Sequence, residues 1–596
     1  MIGRSSRLRW RRTLKRSKRQ VEDLGYQAEE QLERHFFRRL GRLTQVTRFT
    51  VSWLMLLVLL SVIMFSQIRG LGNYYLQLEP AAGGIFTEGI LGSFTNANPI
   101  FASGSVNSSV SRLMYPGLLK FDQKNRLVGD LAAQWNVDKT GKVYTVVLRN
   151  NVLWQDGTPV TADDVVFTYK TIQNPDAKSP LQSSWAGIKV AKVSDATVMF
   201  TLPNVLSSFP YGLTNGIAPK HILSNVDVAD LRSSSYNTVQ AVASGPFVLE
   251  NILVEGGTPE TREEQIILTA NPTYHGTRPK LERYIVRTYR EEKTLLAAFE
   301  DNKLNAISGV EMLPDTLANQ SDVKALDIPI TGQTMVFFKN SHEILKDVAV
   351  RQALVYGADR GEIVSNLGFT AKISRGPLLT THVGYDKKFD QPNQNIKKAS
   401  QLLDKAGWKQ ENGTGIRKKA GKELRFRLFS QSTSEYLNVT QRLKEQWEKI
   451  GVALDVTLQE SSELQATIGQ HTYDALLYGI SVGSDPDVFP YWHSSQASPR
   501  LASRFNFSEY SSATADSSLE AGRTRSEPKL RAIKYRPFMA AWQKDAPALA
   551  LYQPRYLFIT RGDIYQFETE LVNVAADRYA NVQNWMIRQI KASKTD

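Results

Sequence analysis

The string WQDGTPVTADDV, residues 154–165, decides the fold. Asp156-Gly157-Thr158-Pro159 is a turn: glycine accepts a backbone conformation that other residues resist, and proline stiffens the exit. Thr161 then stands where a helix N-cap is needed. Asp164, three residues on, brings a carboxylate to the helix start, where free N–H groups and the helix dipole favour negative charge. Residues 160–172 accordingly read as a helix, as do 439–450, whereas TVVLRNNVLW (145–154) and TVMFTL (197–202) read as strands. Ser244-Gly245-Pro246-Phe247 is a stiff turn entering a strand. Helices and strands intersperse without strict βαβ alternation, which predicts an α/β protein of several lobes.

The chain has 596 residues, enough for several packed cores, and a formal net charge of +14. Residues 1–48 carry +9 of that charge and residues 69–596 only +5, so the basic balance comes from a tail and gives no support to nucleic-acid binding. Between the two lies FTVSWLMLLVLLSVIMFSQI, residues 49–68, uncharged and bounded by Arg48 and Arg69. Twenty helical residues at ~1.5 Å rise match a ~30 Å hydrocarbon core, which predicts a transmembrane anchor with the basic tail cytoplasmic and the C-terminal part outside. A cleaved signal peptide competes, but the run ends in SQIRGLGNYY without a small-x-small site. In the tail, Val21, Leu24, Ala28, Leu32, Phe36, Leu40 and Leu43 recur at helical spacing, which suits either an inner-leaflet helix or a solvated tail. Residues 69–85, with four glycines around Tyr74 and Tyr75, read as a linker. With no cysteine, neither a disulfide scaffold nor a lipid-modified cysteine is open to the chain.

Signals for chemistry are few. The seven histidines have no metal-ligand spacing, and no Walker A string or GxGxxG fingerprint is present. Neither a metal nor another cofactor is expected. Gly479-Ile480-Ser481-Val482-Gly483 fits the GxSxG nucleophile elbow, which needs a helix directly afterwards. The chain instead continues Ser484-Asp485-Pro486, and the only later histidine is His493. No enzyme is expected.

Separate stretches in register then point one way. They are Met114-Tyr115-Pro116-Gly117-Leu118-Leu119, Val128-Gly129-Asp130-Leu131-Ala132 with Trp135, residues 154–165, Ser244-Gly245-Pro246-Phe247, Asn271-Pro272-Thr273-Tyr274, Val350-Arg351-Gln352-Ala353-Leu354 with Ala358-Asp359-Arg360, 399–408, and Ala546-Pro547-Ala548-Leu549. From about residue 86 to 590 the chain resembles family 5 extracellular solute-binding proteins, the oligopeptide, dipeptide and nickel binding components of ABC importers. Taken alone, these strings build scaffold, and Asp156, Asp163, Asp164 and Arg351 are read as such.

The resemblance implies a periplasmic-binding-protein-like clamp of type II. Lobe one would comprise 86–333 plus 555–596, with an inserted subdomain near 121–235, and lobe two 334–554. Two crossings, near 332–339 and 554–558, would act as the hinge. An extended peptide or peptide-like ligand would pair its main chain with protein backbone in the cleft, and a monomer would deliver it to ABC permease subunits. The alternative of the same fold is an anchored peptide-sensing or cell-wall-associated receptor. By position, the ligand would meet Phe101 and Ser103 from lobe one, and Ser430, Gln431, Ile480, Ser481, Val482 and Asp485 from lobe two. Peptide binders of the family carry an aspartate for the ligand's α-amino group where this chain has Val482. Dipeptide binders carry an arginine for the ligand carboxylate in a strand that here offers Ser430, Gln431 and Ser432. A longer peptide, or a ligand without free termini, therefore fits better than a dipeptide. Asp485 is the one carboxylate near the expected amine pocket, and it either anchors an amine or caps a turn before Pro486.

Overall fold

The computed structural model describes residues 47–258, 262–369, 371–411, 414–498, 505–525 and 527–593. The basic tail and the helical pattern at 21–43 fall almost wholly outside them. The chain divides into two units, residues 1–79 with 589–596, and residues 80–588.

In the first unit a helix runs from Thr47 to Tyr75. Phe49 and residues 51–67, whose side chains are described, are all exposed. Among the described residues no helix is long and apolar enough to cross a membrane, so the structure does not establish the anchor expected at 49–68. The linker expected at 69–85 is corrected. The helix continues to Tyr75, because Gly70 and Gly72 each cost a helix only about 1 kcal/mol. The strand Leu76–Ala81 then pairs with Arg588–Ser593 near the C-terminus.

The second unit is built on two large sheets. One has seven strands in the order Val323–Pro329, Arg555–Arg561, Ala306–Ser308, Ile85–Leu91, Arg283–Tyr289, Glu263–Ala270 and Phe247–Glu255. The other has six, in the order Lys372–Ile373, Ala548–Gln553, Gly332–Phe338, Ala475–Ser481, Arg425–Gln431 and Ala453–Gln459. A four-stranded sheet, Ala132–Val137, Val143–Leu148, Thr197–Thr201 and Lys189–Ser194, is inserted between strands of the first. Every residue of Gly332–Phe338 is buried, because helices and loops cover both faces of the six-stranded sheet. Val336 and Phe338 enter one apolar cluster, and Met335 and Phe337 another.

The chain passes between the large sheets twice, at residues 330–331 and at Pro554. The crossings are tied together: the Ile330 N–H donates to the Pro554 carbonyl at 3.0 Å, and the Gln553 side chain donates to the Ile330 carbonyl at 2.8 Å. The C-terminal segment is fixed to the seven-stranded sheet by a fully buried pair, Arg578 with Glu88 at 2.7 Å. The hydroxyls of Tyr284 and Tyr579 also donate to Glu88, each at 2.6 Å.

The scaffold residues behave as local chemistry dictates. At the helix Ala162–Gln173 the Asp164 carboxylate caps the start, accepting the Thr161 N–H at 2.8 Å and the Thr161 hydroxyl at 3.4 Å. Asp156 meets His221, and Asp163 meets Lys192 and Lys220. Arg351 donates to the carbonyls of Leu345, Lys346, Asp545 and Ala546, closing the C-terminal end of the helix Pro528–Asp545. Gly245 is required by a close approach, since a Cβ there would lie 2.4 Å from the Met114 carbonyl oxygen. Two expected boundaries move. The strand read at 145–154 ends at Leu148, before a turn in which Asn151 adopts φ +62°. The helix read at 439–450 begins at Ser434, because the Thr433 side chain accepts from the Tyr436 N–H.

Candidate functional site

The strand Ala475–Ser481 carries the centre of the site. It pairs along its whole length with Gly332–Phe338, from Ser481 opposite Gly332 to Ala475 opposite Phe338. On its other side it pairs with Arg425–Gln431 only at Ala475 and Leu476. The two strands then diverge, held by the Ser430 hydroxyl, which donates to the Leu477 carbonyl at 3.1 Å. Beyond that point, Tyr478 to Ser481 has no strand neighbour on that side among the described residues. Such an edge is a template for an added strand.

The loop after this strand is held on all sides. The N–H groups of Val482 and Gly483 both donate to the Thr331 carbonyl at the first crossing, each at 3.0 Å. His382 donates from Nε2 to the Gly483 carbonyl at 2.8 Å and accepts the Leu379 N–H at Nδ1, which requires the neutral ring. Burial pushes its pKa down to about 4.

Asp485 takes both arms of Arg531, at 2.7 and 2.8 Å, with both side chains buried. Burial works against the charge on Arg531, but the hydrogen bonds to Asp485 hold its pKa above the usual arginine value. Asp485 is thus paired with Arg531, which favours a framework role over that of an amine partner. Asp487 pairs with Arg523 at 3.0 Å, and burial still pushes its carboxyl pKa up.

Several bonds cross from this loop to the other lobe. The Asn125 amide donates to the Ser484 hydroxyl at 2.5 Å. The Asn573 oxygen accepts from Ser484 at 2.6 Å and from Thr331 at 2.8 Å, while the Asn573 amide donates to Asn125 at 2.7 Å. The Ser208 hydroxyl donates to Asp487 at 3.3 Å.

The sequence-derived residues divide as follows. Ile480, Ser481, Val482 and Asp485 share the strand and its loop, and Ser430 is bonded to that strand. Ile480, Val482 and Ser430 are buried, while Ser481 is exposed and its carbonyl accepts from the Tyr491 hydroxyl at 2.6 Å. Gln431 is half-buried at its strand end, opposite Gln459. On lobe one, Phe101 is buried beneath Arg232, and exposed Ser103 offers its carbonyl to Asn107. No hydrogen bond or ring contact among the described residues joins Phe101 or Ser103 to the lobe-two group. Near them a cavity of about 320 Å³ reaches Ala102, Trp185, Tyr211 and Val574. A second cavity, of about 310 Å³, borders Tyr478–Ser481 with Tyr491, Phe505 and Phe507. Those aromatic residues were not singled out from sequence; the alternation Phe505-x-Phe507 was their only local signal. The elbow geometry of a nucleophilic serine is not formed, because Ser481 ends a strand and the next helix starts only at Phe489.

Residues 126–499 match the family described as bacterial extracellular solute-binding proteins, family 5 Middle. This chain belongs to that family. It is 29% identical over 514 residues to the oligopeptide-binding protein AppA of Bacillus subtilis (strain 168), covering 82% of this chain and 92% of that protein. The solved structure of AppA from Bacillus subtilis in complex with a nonapeptide superposes with a TM-score of 0.65 at 27% identity, over 86% of this chain and 100% of the other. NikZ from Campylobacter jejuni in complex with Ni(L-His) gives a TM-score of 0.68 at 26% identity, over 84% and 99%. The two-lobed α/β fold of these family 5 proteins is therefore the fold of this chain, and the family is one of solute-binding proteins, not enzymes.

Proposed function

We propose that this family 5 protein captures extended peptides or peptide-like ligands between its lobes and delivers them to the permease of an ABC importer. The observation that carries the reading is the stretch from Tyr478 to Ser481, which has no strand neighbour on one side among the described residues. A ligand main chain laid there gains backbone hydrogen bonds whatever its side chains, which suits broad peptide capture. Similarity to an oligopeptide-binding protein, and to a structure that holds a nonapeptide, supports it.

The lobes in this reading are 86–333 with the C-terminal segment from 555, and 334–554. The ligand meets Phe101, Ser103, Ser430, Gln431, Ile480, Ser481 and Val482, while Asp485 serves as framework. The protein acts as a monomer on the outer face of a membrane. Its anchor in this reading is the run 49–68, supported by the length and lack of charge of that sequence and by the exposure of its described side chains.

The test is native mass spectrometry of the full chain extracted in detergent. Expected is a population of bound species that fragment as peptides, lost on denaturation. A homogeneous non-peptide ligand in the cleft overturns the reading.

A further inference from the structure

The 310 Å³ cavity beside the free-standing end of this strand, Tyr478 to Ser481, is framed by four aromatic rings. Tyr478 and Phe507 meet edge to face at 5.7 Å, Phe507 and Phe505 at 6.3 Å, and Phe505 and Tyr491 lie 6.0 Å apart. The polar ends of the tyrosines are already engaged: Tyr491 donates to the Ser481 carbonyl, and Tyr478 accepts from the Gln465 amide at 3.0 Å. Phe505 differs, with 46% of its surface exposed. Among the described residues, no charged residue lines the cavity.

We infer that this cavity is a specificity pocket, and that it takes one uncharged aromatic or bulky aliphatic side group of the ligand. The inference rests on the reading of the neighbouring edge as the ligand's strand partner. Side chains alternate along a strand, so Tyr478 and Ile480 turn to the same face, and both line the cavity. A ligand strand added alongside turns every second side chain to that face as well. The volume is at the small end of ligand pockets, enough for one large side group and not for a whole peptide. An ammonium or carboxylate placed there would lose its water without gaining a counter-charge, which selects against charged side groups. An aromatic group instead gains edge-to-face contacts and covers the exposed part of Phe505.

The test is calorimetry on the detergent-extracted full chain. The probes are nine-residue peptides of Ala and Ser, blocked at both ends, with a single Phe, Ala or Lys stepped along the positions. Expected is one position at which Phe binds at least tenfold tighter than Ala, Lys binds no better than Ala, and Phe505→Ala reduces the Phe preference to threefold or less. Equal binding of Phe and Ala at every position overturns the pocket and leaves peptide capture standing. The same holds for Lys binding as tightly as Phe, or a Phe preference that survives Phe505→Ala. Failure of every probe to bind overturns peptide capture and the pocket with it.

Discussion

At the scale of single residues, the loop after Ser481 is organised by groups that satisfy each other. Asp485 and Arg531 are buried together with paired hydrogen bonds, and removing one partner leaves a charge without water or counter-ion. Asp485→Ala is therefore expected to lower stability by roughly 3–5 kcal/mol in urea unfolding, while peptide affinity of the folded protein changes by less than threefold. A larger loss of affinity for free-amine peptides than for blocked ones would return Asp485 to the site.

His382 gives a pH dependence. Its pKa is about 4 in the fold, against an ordinary value near 6.5, so the unfolded chain binds the proton more readily. The stability it contributes is complete above about pH 6.5 and is lost as pH falls towards 4, on the order of 3 kcal/mol at most. In His382→Gln the fall in unfolding free energy between pH 6.5 and 4 should be shallower than in the wild type.

At the scale of elements, what the sequence made legible was local. The turn at 156–159, the cap by Thr161 and Asp164, and the turn at Gly245 depend on residues within a few positions of one another, and each appears where expected. Arg351 was readable as scaffold, and the structure supplies the reason: four carbonyls that end one helix and begin another. Arg351→Met keeps much of the apolar stem but removes every donor, and a loss of about 2–4 kcal/mol is expected in thermal or urea unfolding. A change under 1 kcal/mol would show that water replaces the guanidinium. The site was legible only in part. Ile480, Ser481 and Val482 could be placed by position along the chain. The partner of Asp485 lies 46 residues away, and the pocket gathers rings from a strand, a short helix and a loop. No periodicity announces such meetings, because the divergence of two strands after Leu476 creates the edge and the space beside it.

At the scale of the whole molecule, the N-terminal unit and the two-lobed body pose different questions. The exposed apolar side chains at 51–67 are costly in water and stable in lipid. The full chain should sediment with membranes, resist extraction by carbonate at high pH, and keep its N-terminal residues when sequenced. Recovery of the mature protein in the soluble fraction, beginning at Gly70 or later, would refute the anchor. In the body, two crossings bonded to each other at Ile330, Gln553 and Pro554 suit rotation of one lobe against the other.

The bonds between the lobes have a consequence for the surroundings in which the protein works. Asn125 and Asn573 grip Ser484 through amides and a hydroxyl, and Ser208 reaches Asp487 with another hydroxyl. Among the described residues, no ion pair joins lobe one to lobe two; the charged groups that meet across the boundary do so through hydroxyls, Ser208 donating to Asp487 and Ser434 to Glu311, or at longer range, as Arg555 does with Glu435. Dissolved ions weaken attraction between opposite charges and leave hydrogen bonds between neutral groups nearly untouched. Solution scattering is therefore expected to show a smaller radius of gyration on adding peptide, at a ligand concentration that differs by less than twofold between about 0.05 M and 0.5 M sodium chloride. Closure that leans on such bonds should be as firm in a briny medium as in a dilute one.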